Sequence, residues 1–241
     1  MELMPCLFLW SFLAIFVDAT PGEIRIDEDK NYWQYQDIQK ALNNLDRESW
    51  LYYRTYRRET DGSEHTCVSA KVSENQPIGN VYEFLQEYRV GTEDRSTKKT
   101  VTLYATPYKT ATHAAERKNN NAMRVSHKKD AQDGKRYQLI YSDYNKCDIL
   151  RVLDETNGHA CELYLHSNAV DDGVPPECES VYGNACGNDH SSYKQRVYYS
   201  SCKNNMDGQN ISNFSRDDPP RKDERSYNHN LASWMLKLFF F

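Results

Sequence analysis

Two acidic residues, Asp148 and Glu162, stand where their spacing lets them act together. The segments Cys147-Asp148-Ile149-Leu150-Arg151-Val152 and Cys161-Glu162-Leu163-Tyr164-Leu165 alternate in polarity and flank a polar stretch containing Asn157-Gly158, the pattern of a β-hairpin. Strand side chains alternate between faces. Asp148 and Glu162 therefore share one face, while Cys147, Cys161, Ile149, Leu163 and Leu165 share the other. If the cysteines bond to something packed outside the sheet, the carboxylates point into whatever the sheet encloses. Directly opposite or one diagonal step apart, at roughly 5–8 Å, the two acids can share one cation, and buried together without one they repel. The chemistry this suggests is capture of an ammonium group, with aromatic faces and further acceptors around it.

The elements that must position these acids read mostly as strands. Thr20 to Asn31 is a polar, loose lead-in, and Asp37 to Leu45 places Ile38, Leu42 and Leu45 at helical spacing behind an acidic first residue. Ser49 to Arg58 is a strand with Trp50, Tyr52, Arg54 and Tyr56 on one face. His65 to Val72, Val81 to Val90, Lys99 to Tyr104 (ended by Pro107), Ala122 to Ser126 and Arg136 to Ser142 follow, and the hairpin completes eight. Eight short strands without intervening long helices predict a closed up-and-down barrel or a sandwich. A short helix over Glu177 to Ala185, opened by Pro176, carries Cys178 and Cys186. Arg196 to Cys202 reads as extended, and Lys203 to Phe241 as a disordered extension. The 18 tyrosines suit either a half-polar cavity or ordinary sheet.

Compartment follows from the first residues and the cysteines. Cys6 to Val17 is an apolar run too short to span a bilayer, and Val17-Asp18-Ala19 ends it with a signal-peptidase pattern, so residues 1–19 read as a signal peptide. Its removal shifts the formal charge from −5 to −3, which predicts neither nucleic-acid nor membrane-surface binding. Six cysteines remain, at 67, 147, 161, 178, 186 and 202, a set that suggests three disulfides in an extracellular, secreted chain without choosing their connectivity. Sequons at Asn210 and Asn213 agree with glycosylation on a secretory route. The chain from 20 to 202 is the size of one domain, read as a monomer.

Beyond general pattern, Cys147-Asp148-Ile149, a gap, then Glu162-Leu163-Tyr164 is similar to the biogenic-amine signature of the tick salivary lipocalins of the histamine-binding group. Tyr141-Ser142-Asp143, Thr66-Cys67-Val68 and Val197 to Cys202 support the resemblance, which covers Asp37 to Cys202. It implies an all-β fold, an eight-stranded antiparallel lipocalin barrel with a short N-terminal helix and a C-terminal helix packed outside. It also implies disulfides joining Cys67 to Cys202, Cys147 to Cys178 and Cys161 to Cys186. The ligand residues it carries over are Asp148, Glu162, Tyr164, Tyr56, Glu59 and Trp50. Around Lys98, Val125 and Tyr137 the chain departs from the family's ligand pattern, and Tyr164 stands where Trp is usual.

Arg54 sets the competing chemistry. On one face with Trp50, Tyr52 and Tyr56, it forms either an ion pair with the acids or a site for an anionic lipid such as a fatty acid or eicosanoid. A third reading places function on the loops, as an inhibitor binding a host protein in defence evasion. No nucleophile elbow, metalloprotease helix or phosphate loop occurs in the sequence. The expectation is a non-enzymatic binder of histamine or serotonin with no cofactor and no metal; His159 and His166 read as solvent-facing or hairpin-end residues rather than ligands.

Overall fold

A computed structural model describes residues 24–75, 77–91, 96–111, 116–129, 131–187 and 193–204. The signal peptide, the sequons at Asn210 and Asn213 and the extension beyond residue 204 lie outside the described residues.

The strands are β1 (Glu48–Arg54), β2 (Glu59–Thr60), β3 (Ser63–Val72), β4 (Tyr82–Val90), β5 (Thr97–Tyr108), β6 (Ala122–Ser126), β7 (Lys135–Ser142), β8 (Cys147–Val152), β9 (Ala160–His166) and β10 (Gln195–Arg196). All pair antiparallel in one sheet. Because β1 pairs with both β9 and β3, the sheet closes on itself. The eight long strands form the barrel, and β2 and β10 are two-residue additions at its margins. Closure removes the exposed edges that would otherwise template aggregation.

Register sorts the hairpin as its alternation requires. Asp148 pairs with Tyr164 and Leu150 with Glu162, so the two acids lie one diagonal step apart on the inner face. On the outer face, Cys147 and Cys161 are bonded to Cys178 and Cys186 of α2 (Pro176–Cys186). Cys67 and Cys202 are also disulfide-bonded. Strand β9 is buried at every position because one face lines the interior and the other lies under α2. Helix α2 buries Cys178, Val181, Tyr182 and Cys186, spaced as a single helical stripe. Pro176 occupies its first turn, where the missing N–H costs nothing. Ser200–Phe241 is a separate small unit, of which the described part holds the one-turn helix α3 (Ser201–Asn204); of the stretch Arg196 to Cys202 read as extended, only Arg196 lies in a strand, and Ser201 and Cys202 are helical.

Four further expectations are corrected. Helix α1 spans only Ile38–Leu42, capped by the Asp37 carboxylate, which accepts from the Gln39 and Lys40 amides at 3.1 Å. It stops at Asn43, and Leu45 is 99% exposed. Strand β5 runs through Pro107. Its pairing with β4 ends at Ala105, so beyond that point one side of β5 carries no ladder and proline's missing N–H is harmless. From Ile24 on, the described part of the lead-in is packed: a 3-10 helix at Lys30–Tyr35 lies on β7, and Asp27 is 1% exposed. Last, β1 contains a bulge between Leu51 and Tyr53. The extra residue shifts the alternation, so Trp50 pairs beside outward Leu165 whereas Arg54 pairs beside inward Glu162. Trp50, Tyr52, Arg54 and Tyr56 do not share a face.

Candidate ligand-binding site

The barrel encloses a cavity of about 210 Å³. At one end it is covered by α1, with Ile38, Ala41 and Leu42 in its wall; Asp46, Arg47, Ser49, Asp148 and His166 lie at this end. The middle is apolar, lined by Leu103, Met123, Val125, Leu139 and Leu150, and the far end carries Arg58, Lys135 and Tyr137. Antiparallel register separates the ends. Tyr137 pairs with Val152, four positions along β8 from Asp148, or roughly 13 Å of strand rise.

Asp148 is held by the turn before it. The Asp143 carboxylate accepts from the amides of Asn145, Lys146 and Cys147 at 3.0, 2.7 and 2.9 Å. This closes the β7–β8 loop and starts β8 with Asp148 facing inward. Its Oδ2 lies 3.0 Å from His166 Nε2. Its Oδ1 is buried with no hydrogen-bond partner among the described residues, as is His166 Nδ1. Burial opposes charge on the His166 imidazole, but the hydrogen bond and charge of Asp148, with Asp46 behind it, outweigh burial and raise its pKa. His166 is 2% exposed, so the solvent-facing reading is corrected: the hairpin's last residue turns inward and pairs with its first acid.

Glu162 has a different environment. Its two carboxylate oxygens accept the hydroxyls of Tyr56 and Tyr164, the latter at 3.0 Å, and it is 2% exposed. Burial and the Glu162 charge push both tyrosines' pKa values well up, so both remain neutral donors. Tyr164 also lines the cavity, whereas Tyr56 and Glu162 sit behind its surface. The two acids share a face but not an environment. Asp148 has spare acceptor capacity; Glu162 has a donor on each oxygen.

The remaining sequence-predicted residues disperse. Arg54 is buried opposite Glu162, yet its Nη2 donates to the carbonyls of His65 (3.0 Å) and Arg58 (3.5 Å), and no ion pair joins it to an acid among the described residues. Trp50 faces outward, its Nε1 donating to Ser167 Oγ at 3.0 Å and its ring set edge-on to Tyr198 at 5.3 Å. Glu59 is exposed on β2, 3.9 Å from Arg57. Of the positions where the family pattern is lost, Val125 and Tyr137 line the cavity and Lys98 pairs with Glu87 at 2.9 Å. Sequence reasoning missed Asp46, Arg58 and Lys135. Asp46 and Arg58 lie just outside strands and Lys135 is the first residue of β7, positions where alternation says little about direction.

A closed eight-stranded antiparallel barrel, helix-covered at one end, around a cavity with a few convergent polar groups defines the lipocalin class of small-molecule binders. The model of the family described as tick histamine binding protein matches residues 26–204, and the chain belongs to that family. No curated protein matches. Among solved structures, the cockroach allergen Per a 4 is similar at 14% identity and a TM-score of 0.45, over 70% of this chain and 91% of that one. Apocrustacyanin C2 is similar at 14% identity and 0.44, and lobster apocrustacyanin A1 at 13% and 0.43, each over 75% of this chain and 91% of the other.

Proposed function

We propose that this protein is a secreted binder that sequesters a biogenic amine, histamine or serotonin, in its barrel, with Asp148 receiving the ammonium. The observation that carries the reading is Asp148 in the cavity wall, a carboxylate whose Oδ1 has no hydrogen-bond partner among the described residues. A buried acceptor left unpaired costs about 1–3 kcal/mol, more when charged, and an ammonium hydrogen bond recovers that cost with charge assistance. Tyr164, next to Asp148 in the ladder, offers an aromatic face. Size points the same way: drug-sized ligands occupy pockets of roughly 300–1,000 Å³, and a cavity of about 210 Å³ favours a small amine over a long-chain lipid. Secretion is supported by the six disulfide-bonded cysteines.

Titration calorimetry with histamine and serotonin tests this. At least one binds at micromolar affinity or better, and Asp148→Asn weakens it by more than about tenfold, a loss above about 1.4 kcal/mol. Wild-type affinity in the variant, or no heat with either amine, overturns the reading.

A further inference from the structure

The two disulfides that fasten α2 to the barrel sit in opposite electrostatic surroundings. Cys147–Cys178 lies at the helix's N-terminal end and Cys161–Cys186 at its C-terminal end. Arg151 Nη1 is 3.2 Å from Cys161 Sγ, and the same guanidinium donates to the carbonyl of Ala185, the residue before Cys186. Asp27 pairs with Arg151, but Arg25 shares that carboxylate at 2.6 Å, so two guanidinium groups face one acid and the neighbourhood keeps a positive charge. At the other bond the sign is reversed. A carboxylate oxygen of Asp143 lies within 4.8 Å of the sulfurs of both Cys147 and Cys178, and Glu177 and Glu179 stand in the first turn of α2. The helix N-terminus on its own favours a thiolate at Cys178. Asp143 and Glu177 oppose it, while Glu179 is paired with Lys194.

Thiol–disulfide exchange needs an accessible sulfur to attack and a leaving sulfur able to carry negative charge. Only one of the two bonds offers both. Cys186 is 8% exposed, whereas Cys161, Cys147 and Cys178 are at most 1% exposed. Attack on Cys186 therefore puts the leaving charge on Cys161, the sulfur beside Arg151, and a neighbouring guanidinium stabilises a thiolate. At Cys147–Cys178 neither sulfur is open, and a departing thiolate meets the Asp143 carboxylate. We propose that Cys186 is a site of thiol exchange that takes a low-molecular-weight thiol such as glutathione. The thiol gives its proton to water and its thiolate attacks Cys186 Sγ. The bond to Cys161 breaks as the mixed disulfide forms on Cys186, and Cys161 leaves as a thiolate held by Arg151. A second thiolate removes the adduct as a small-molecule disulfide, so two thiols supply the two electrons and both protein sulfurs end reduced. Opening frees the C-terminal end of α2 from β9, while Cys147–Cys178 keeps the N-terminal end on β8. The exchange does not depend on what the cavity binds.

Timed reaction of the full chain with reduced glutathione, without denaturant, tests the proposal. Samples are quenched in acid, free thiols are blocked with N-ethylmaleimide, and the cysteine peptides are mapped by mass spectrometry. Cys161–Cys186 opens at least about tenfold faster than Cys147–Cys178. In the first intermediate the glutathione sits on Cys186 and the free thiol is Cys161. Arg151→Gln lowers the ratio of the two opening rates by about fivefold or more, and Arg151→Lys, which keeps the charge, restores most of it. The ratio is the readout because a variant that merely loosens the fold speeds both bonds alike, and the position of the adduct is read in the unmodified protein, where no variant has to fold. Equal opening rates, earlier opening of Cys147–Cys178, glutathione on Cys161, or a ratio indifferent to Arg151→Gln each overturn the assignment.

Discussion

Asp148 and Glu162 share a strand face but not a role, because each has different neighbours. Asp148 exchanges its counter-charge with His166, and this gives a pH dependence with a definite sign. Around that imidazole stand Asp148 and Asp46 as acids and Arg47 as the nearby base lining the same end. Its folded pKa is raised above 6.5, so the stability from the His166–Asp148 pair is fully present below that value and is lost as pH rises through the folded pKa. An ammonium ligand at Asp148 competes with the same proton. Amine affinity should therefore increase as pH rises through the His166 pKa and then level off, measurable by calorimetry in buffers of different ionisation heat, and His166→Gln should flatten the profile. Glu162→Gln gives the contrasting outcome. With both oxygens held by tyrosine hydroxyls, it should alter amine affinity by less than about threefold while costing about 1–3 kcal/mol of unfolding free energy. A tenfold loss of affinity in Glu162→Gln would transfer the ammonium site from Asp148 to Glu162. Neither division of labour was legible in the sequence, since alternation assigns a face and says nothing about which hydroxyl reaches which oxygen.

Elements were legible where local pattern and tertiary packing agree. The Cys147–Val152 and Cys161–Leu165 runs are strands in the expected register, and the Pro176-initiated helix takes both disulfides. Strand β1 failed for a specific reason: an extra residue between Leu51 and Tyr53 leaves no mark in the hydrophobic pattern, because Tyr52 and Tyr53 both find aromatic neighbours on the outer side, Tyr198 and Tyr182. Helix α1 failed at its C-terminal end because an apolar residue at helical spacing, Leu45, had nothing to pack against. The hairpin-to-helix disulfides lend themselves to measurement. The Cys161–Cys186 bond spans 25 residues, and replacing both cysteines with serine should cost about 3–4 kcal/mol in chemical denaturation, the chain-entropy value for a loop of that size. A cost below about 1 kcal/mol would mean that α2 docks as firmly without it.

At the scale of the whole molecule, the segment before α1 does what its polar composition hid. Asp27 lies on the outside of the barrel wall, paired with Arg151 of β8 at 3.2 Å and with Arg25 at 2.6 Å. Arg151 also donates to the carbonyl of Ala185 at 3.1 Å, closing the C-terminal end of α2. Arg117 joins the Asp27 carbonyl at 2.6 Å and Gln36 at 2.9 Å. One buried carboxylate thus gathers the lead-in, β8 and α2 into a single packed layer. Burial would raise its pKa, but Arg151 and Arg25 more than reverse this and lower it below 3.8. Its stabilising contribution is present above pH 3.8 and is lost as pH falls through the folded value. Asp27→Asn strands Arg151 in the interior, and breaking a buried pair this way costs about 3–5 kcal/mol. Urea denaturation at neutral pH should show that loss, and the difference between variant and wild type should narrow in strong acid.

The barrel wall is covalently unequal around its circumference. Strands β8 and β9, which carry Asp148 and Glu162, are each bonded to α2, whereas β4, β5 and β6 contain no cysteine and hold their place by backbone ladders and side-chain packing. Compliance is therefore directional: the charged side of the cavity is stiff and the apolar side, with Phe84, Leu103, Met123 and Val125, is able to give. On the proposed reading, a ligand would be held by its charge in fixed geometry, while differences in its bulk would be absorbed by the opposite wall. If Asp148 receives an ammonium as proposed, ligands that share that group but differ in ring size would be accommodated without moving the acid.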